Sequence, residues 1–340
     1  MSANLDVISV GMVTAVGLDA PSSCAAMRAK LDGFQETKFH RIGDEFVIGA
    51  PVPLPREWIG EKRMAHLAAA AVTEAIQGHE WLTDKTVVLL CIAEENRPGR
   101  PIRDVRSFLS HISRITGHDI GRGCIVVAHG RPSGHIAFEK AREILKEGKA
   151  SNILILGVDS YLTPATITHY IAKWRLLTSD NPNGFIPGEA AAAILCSNVE
   201  RGQLQLAGLG LARERASIYN NDDIPLRGDG MTSAYNIALE EAGIQMNDIG
   251  YRISDLIGEK YWFKQAALAN LRLSRGRRDF IDLWSPGEFL GNIGAAVVPA
   301  MIAMARTAAC KGYSYGRSVL VEASNDAGAC GAAVLTSRVP

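Results

Sequence analysis

Histidine is absent from half of this chain. All eight histidines of the 340 residues, His40, His66, His79, His111, His118, His129, His135 and His169, lie at or before position 169. No imidazole from the C-terminal half can serve as acid, base or oxyanion donor. There is no excess of charge of either sign, with Lys plus Arg and Asp plus Glu at 36 each. Nothing in that balance favours nucleic acid or an anionic membrane as partner. One local basic run, RLSRGRRDF from Arg272, reads equally as a solvated loop. The six cysteines, at 24, 91, 124, 196, 310 and 330, form no CxxC pair. They read as free, mostly buried thiols of a reducing compartment. No histidine pair has zinc-ligand spacing with cysteine or carboxylate. The glycine pairs, such as those around Gly208 and Gly210, lack the strand–GxGxxG–helix context of a dinucleotide site. The nucleophile-elbow pattern Gly-x-Ser-x-Gly is missing as well. The sequence therefore implies no cofactor and no metal. The first apolar run, from Val7, has Asp6 in front of it and no basic residue before Arg28. It reads as a core strand of a cytoplasmic protein rather than a secretory leader.

What is present is alternation. Short apolar runs at Thr86–Cys91, Gly123–Ala128, Ile153–Gly157 and Ala191–Cys196 are separated by longer amphipathic segments. The second half continues with strands predicted from Gln203, at Ser318–Ala323 and at Ala332–Thr336, and helices at Thr232–Ala242 and Phe263–Leu271. This is an α/β pattern with largely buried sheets. Phe289–Ala305 differs from every other helical segment, with seventeen residues and no charge. A helix apolar on all faces is either buried between layers or membrane-spanning. This one is short for a span and contains Asn292 and Pro299, so burial is predicted. Residues 218–231, with the run NNDDIPLRGDG, are the segment richest in loop formers.

One segment orders the rest. An apolar strand runs from Gly123 into Gly130-Arg131-Pro132-Ser133-Gly134, a helix follows to about Lys149, and a second apolar strand ends at Gly157. It resembles the nucleophile segment of the β-ketoacyl synthases of the thiolase superfamily, where Ala-Cys-Ala-Ser-Gly delivers the acyl-bearing cysteine onto a buried helix. The resemblance extends along the chain. It takes in GMVTAVG from Gly11 with the helical stretch 21–33, the helix from Arg63, and the strand from Thr86. It continues through GFIPGEAAAAILCS from Gly184 with Gly188 and Glu189 in register, the helix from Ala234, and GEFLGNIGAAVVPAMIAMA from Gly287. It implies a thiolase-like five-layered α-β-α-β-α fold built from two pseudo-symmetric halves, 1–200 and 201–340, around one core.

The departures from the family fall on its chemistry. Register on Ser133 and Gly134 puts the nucleophilic cysteine at Arg131. Register on Gly258 puts the first catalytic histidine at Asp255, and register on Gly287 puts the second at Glu288, with the nearby family lysine at Leu283. A guanidinium stays protonated and has no lone pair for acyl attack. No cysteine lies between 125 and 195 to replace it. Ser133 and His135, two apart on a helix, face different ways and do not form a nucleophile–base pair. Ser133 reads as a helix N-cap and His129 as a buried structural histidine. Glu189 corresponds to a glutamate of the family's supporting hydrogen-bond network.

The resemblance thus implies a catalytically degenerate synthase homologue. It would be a structural, regulatory or acyl-binding subunit, paired as a homodimer or with a related synthase, and possibly with an acyl carrier protein. The alternative is an acyl-thioester transferase or hydrolase using Asp255 or Glu288 as general base. In the family the three catalytic side chains converge on one buried point. Arg131 is therefore expected to pair with Asp255, Glu288 or both, because an unpaired buried charge there would cost several kcal/mol, of the order of 3 to 5.

Overall fold

The computed structural model describes residues 5–338 apart from 41–44, 56, 80–84, 199–201, 221, 275 and 277–280. Much of the basic run from Arg272, and Asn221 of the 218–231 segment, lie outside the described residues. The N-terminal half contains β1 (Leu5–Val13), α1 (Ala20–Arg28), β2 (Gln35–His40), β3 (Phe46–Gly49), α2 (Gly60–Ile76) and β4 (Thr86–Cys91). It goes on through α3 (Val105–Thr116), β5 (Ile125–Val127), α4 (Ser133–Lys146), β6 (Asn152–Ser160), α5 (Pro164–Ala172) and β7 (Glu189–Ser197). The C-terminal half contains β8 (Leu204–Arg213), α6 (Asp229–Ala242), β9 (Tyr251–Ser254), α7 (Lys260–Leu273) and β10 (Asp282–Trp284). It ends with α8 (Gly287–Leu290), α9 (Val297–Lys311), β11 (Ser318–Ser324) and β12 (Ala329–Ser337).

Ten strands form one sheet in the order β10-β9-β11-β12-β8-β1-β7-β6-β4-β5, with β2 and β3 as a separate hairpin. Read outward from the centre, the N-terminal half runs 1-7-6-4-5 and the C-terminal half 8-12-11-9-10, the same path twice. The two meet where Leu5–Val7 of β1 pair antiparallel with Leu204–Leu206 of β8. Near this junction Asp6, 1 % exposed, accepts from the Gly202 amide at 3.0 Å and from Arg338 at 2.8 Å.

Three strata of helices make the five layers. α2 and α3 cover one outer face over a core of Val88, Leu90, Leu154 and Ala193. α6 covers the other over Leu320, Ala332 and Val334. Between the half-sheets lie α4 and α9, each packed on strands of both halves. All of Val297–Ala305 of α9 is buried. On α4, Glu139, Glu143 and Lys146 reach the surface while Ala137, Phe138, Ala141 and Leu145 stay inside. No described helix is long and apolar enough to cross a membrane.

Three predicted elements differ from the structure. The first helix ends at Arg28, not near Gly33, and chain reversal follows through Lys30 in the left-handed region (φ 60). The uncharged stretch from Phe289 is not one helix. Left-handed Gly291 (φ 62) and Gly294 (φ 55) interrupt it, and α9 starts at Val297. Pro299 then falls in the first turn, where its missing N–H costs no intrahelical bond. Finally, the strand 123–128 is not deep in the core. β5 is a three-residue edge strand with Ile125 38 % and Val126 41 % exposed.

Candidate functional site

Arg131 is placed by a turn that only glycine fits. β5 leads to Gly130, whose φ is 64 and where a Cβ would lie 2.2 Å from the Glu94 carboxylate. Pro132 occupies the N-cap position of α4, and Ser133 is the first helical residue. The Ser133 side chain therefore does not cap the helix, contrary to expectation. Its Oγ instead accepts from the His129 amide at 3.0 Å, which closes the turn from behind. The His129 carbonyl accepts from Asn325 Nδ2 at 3.0 Å, and the His129 residue itself is exposed, not buried. Gly134 allows α4 to touch α9, since a Cβ there would sit 2.6 Å from Val298 Cβ.

From this turn the Arg131 side chain crosses into the C-terminal half. Arg131 Nη1 donates to Asp255 Oδ2 at 3.0 Å, and both side chains are 2 % exposed. The guanidinium carbon lies 3.8 Å above the centre of the Trp262 ring, a stacked cation–π contact. Nη2 makes no hydrogen bond among the described residues, and Asp326 Oδ1 stands 3.8 Å from it. Asp255 follows β9 and is held by its own amide on the Glu322 carbonyl at 3.1 Å. Burial pushes its carboxyl up to about 6, against the pull of Arg131.

The pair belongs to a closed ring of charges. Trp262, under Arg131, donates its Nε1–H to Glu259 Oε2 at 2.9 Å. Glu259 receives Arg175 in a two-pronged pair, Nε to Oε1 and Nη2 to Oε2, both 2.7 Å. Arg175 Nη1 reaches Asp326 Oδ2 at 2.5 Å and the Tyr219 hydroxyl at 2.7 Å. Asp326 returns to Arg131. Asp326, with its side chain 27 % exposed, and exposed Tyr219 are the members nearest water. The Arg175 guanidinium is held even more firmly protonated than usual by its two carboxylates, against the cost of burial.

The remaining positions divide between struts and surface. Glu189 Oε1 accepts from the Val52 amide and Arg63 Nε, each at 2.9 Å, and Oε2 from Ser160 Oγ at 3.1 Å. It ties β7 to α2 and β6. A second buried pair, Arg97 with Asp159 at 2.7 and 2.6 Å, anchors the turn before α9, because Asp159 also accepts from the Ala295 amide at 3.0 Å. Gly258 is left-handed (φ 97), and a Cβ on Gly287 would lie 2.1 Å from the Leu256 carbonyl. Leu283 lies in β10 opposite Arg252. Glu288 does not join the site. It is 57 % exposed and faces Lys30 at 3.8 Å. Phe289 and Leu290 beside it are buried in the core, and beyond Gly291 the buried polar residue is Asn292, 2 % exposed, with Oδ1 accepting from the Gly294 amide at 3.1 Å. Sequence reasoning missed Trp262, Glu259, Arg175 and Asp326. The one available signal was Trp262, a large aromatic four residues past the register glycine Gly258.

The overall arrangement has close counterparts among solved structures. The ishigamide ketosynthase/chain length factor superposes with a TM-score of 0.74 at 16% identity, covering 99% of this chain and 100% of that one. A type II polyketide ketosynthase in complex with its acyl carrier protein and bound to a hexaketide gives 0.79 at 14%, with 99% and 100% covered. This chain has the ketosynthase fold. A ketosynthase with its chain length factor from Xenorhabdus doucetiae gives 0.76 at 14%, with 98% of each chain covered. No family model matches the sequence, and no curated protein matches it.

On this ketosynthase scaffold the start of the central helix carries a guanidinium locked to a carboxylate. The void beside Asp255, bounded also by Ser254, Trp262, Gln265 and Glu322, has a volume of about 10 Å³. That is room for a single water, not for an acyl chain. Among the described residues no group of three or more His, Cys, Asp or Glu side chains is placed to hold a metal ion.

Proposed function

We propose that this protein is a ketosynthase-fold subunit that does not condense acyl thioesters and serves as a structural or regulatory partner in an assembly. The observation that carries the reading is Arg131, held by Asp255 and stacked on Trp262 at the head of α4. By the family resemblance that position belongs to the nucleophile. A two-step covalent route needs an attacking lone pair there, and a guanidinium has none. The halves 1–200 and 201–340 each contribute one side of the ring. Arg131 and Arg175 come from the first, and Asp255, Glu259, Trp262 and Asp326 from the second, which suits a role in fastening the halves together.

The partner we favour is a related synthase, with a second copy of this chain as the other arrangement and an acyl carrier protein as a further contact. Two of the similar structures are pairs of a ketosynthase with a chain length factor, and one holds an acyl carrier protein. β5 supports such pairing, because among the described residues it ends the sheet with an unpaired edge bearing Ile125 and Val126. A cytoplasmic location is part of the same reading. No observation favours the hydrolase or transferase alternative. Asp255 is committed to Arg131, and Glu288 lies at the surface.

The test is incubation with acyl-CoA and with acyl carrier protein loaded with an acyl chain, followed by intact mass and product analysis. The expected result is no adduct and no condensation product. A stable acyl adduct on any cysteine, or turnover that disappears in Arg131→Ala, overturns the reading.

A further inference from the structure

Away from the charge ring, a hollow of about 420 Å³ opens between the C-terminal ends of α1 and α9. Its size lies in the range of small-molecule sites. The walls are Pro21, Ala25 and Ala29 on one side and the Tyr313 ring on the other, with Cys24 and Thr307 at the floor. Two cations, Arg28 and Lys311, stand at the rim. Among the described residues neither has a carboxylate partner. The acids nearest the floor are already committed. Asp19 caps α1 through the Ser22 amide, and Glu74 accepts from the Met12 and Ala20 amides.

Helix C-termini favour cations in general, which alone would account for Arg28 and Lys311 extending into water. It does not account for the posture of Arg28. Its guanidinium carbon lies 4.3 Å above the Tyr313 ring, folded back over the hollow. The C-terminal carbonyls that would repel an anion are partly occupied. Ala25 and Met27 accept from the Ala29 amide, and Ala308 and Ala309 from the Gly312 amide. What faces the cavity is thus a largely apolar wall and two cations with no carboxylate in ion-pair contact among the described residues, while the Asp19 and Glu74 carboxylates stand behind the Cys24 floor.

We propose that this hollow binds a small amphipathic carboxylate, its anionic group between Arg28 and Lys311 and its hydrocarbon body against Tyr313, Ala25 and Pro21. The site is independent of the retired-synthase reading, since none of its lining residues belongs to the ring. Titration calorimetry of the whole chain with hexanoate, with hexanol and acetate as controls, tests it. Hexanoate is expected to bind, hexanol and acetate to bind at least about tenfold more weakly, and Arg28→Ala with Lys311→Ala to weaken hexanoate by about tenfold or more. Ala25→Trp, which fills the hollow and keeps both charges, is expected to abolish binding while the chain melts as a folded protein. Equal binding of hexanol and hexanoate, unchanged binding in the double variant or in Ala25→Trp, or no heat from hexanoate up to about 10 mM, overturns the proposal.

Discussion

Replacing Arg131 by methionine should cost this fold much of its stability, and replacing Asp255 as well should restore most of it. In Arg131→Met the side-chain volume is nearly kept, but Asp255 is left 2 % exposed with no cation 3.0 Å away. Breaking a buried pair by removing one partner costs about 3–5 kcal/mol, whereas replacing both by apolar groups is close to neutral. Asp326 keeps Arg175, so Arg131→Met with Asp255→Leu strands no further charge. For urea unfolding with a slope near 3 kcal/mol/M, the single variant should lose about 1 M or more in midpoint at pH 8. The loss must depend on pH. Asp255 has a folded-state value of about 6, above its unfolded value near 3.9, so the folded form binds a proton that the unfolded form has released. Its contribution is therefore least unfavourable below pH 4 and worsens as pH rises towards 6, by about 3 kcal/mol in all. Without Arg131 the folded value rises further, and the decline continues beyond pH 6. The variant should approach wild type near pH 5 and fall away from it at pH 8. A single variant as stable as wild type at pH 8, or a double variant showing the sum of the two single losses, would refute the electrostatic account of this site.

Two further outcomes follow from the packing. Val126→Asp puts a charge on the unpaired edge of β5 and should convert a dimer to the 36.6 kDa monomer in light scattering; a wild-type chain that is already monomeric at micromolar concentration would remove the basis for pairing through this edge. Gly134→Val forces α4 off α9, because even a Cβ would come within 2.6 Å of Val298 Cβ, and should lower stability by about 1–3 kcal/mol in thermal or urea melts; an unchanged midpoint would show that the central helices have slack.

Much of this architecture is legible in the sequence alone, and the misses have physical causes. Alternating apolar runs fix strands well, because a buried parallel strand is apolar on both faces. The same property hides depth: IVV of β5 looks alike whether it is covered by its own chain or waiting for another. Asp255 is legible because Gly258 needs its left-handed backbone and therefore anchors the register. That Glu288 stays at the surface is not legible, because Gly287, Gly291 and Gly294 offer several anchors within eight residues, and only two of them adopt the left-handed turns that break the segment. Arg175, Glu259 and Asp326 leave no trace in sequence. Their pairing crosses 84 and 151 positions, and a charged residue in a turn or at a helix start is ordinarily a solvated one.

The place of β1 bears on how the chain is made. β1 lies at the middle of a ten-stranded sheet, and neither of its neighbours exists until β7 and β8 are synthesised. Its first partners, Ser197 beside Asp6 and Leu206 beside Leu5, come some 190 and 200 residues later. At about 5–20 residues per second this strand waits on the order of 10–40 s with both edges unpaired. Closing such distant pairings is slow even for a complete chain. Nascent chains of this protein should therefore be held by chaperones more than its native stability suggests, and slowing synthesis ahead of residue 190 should lower soluble yield without altering the folded product.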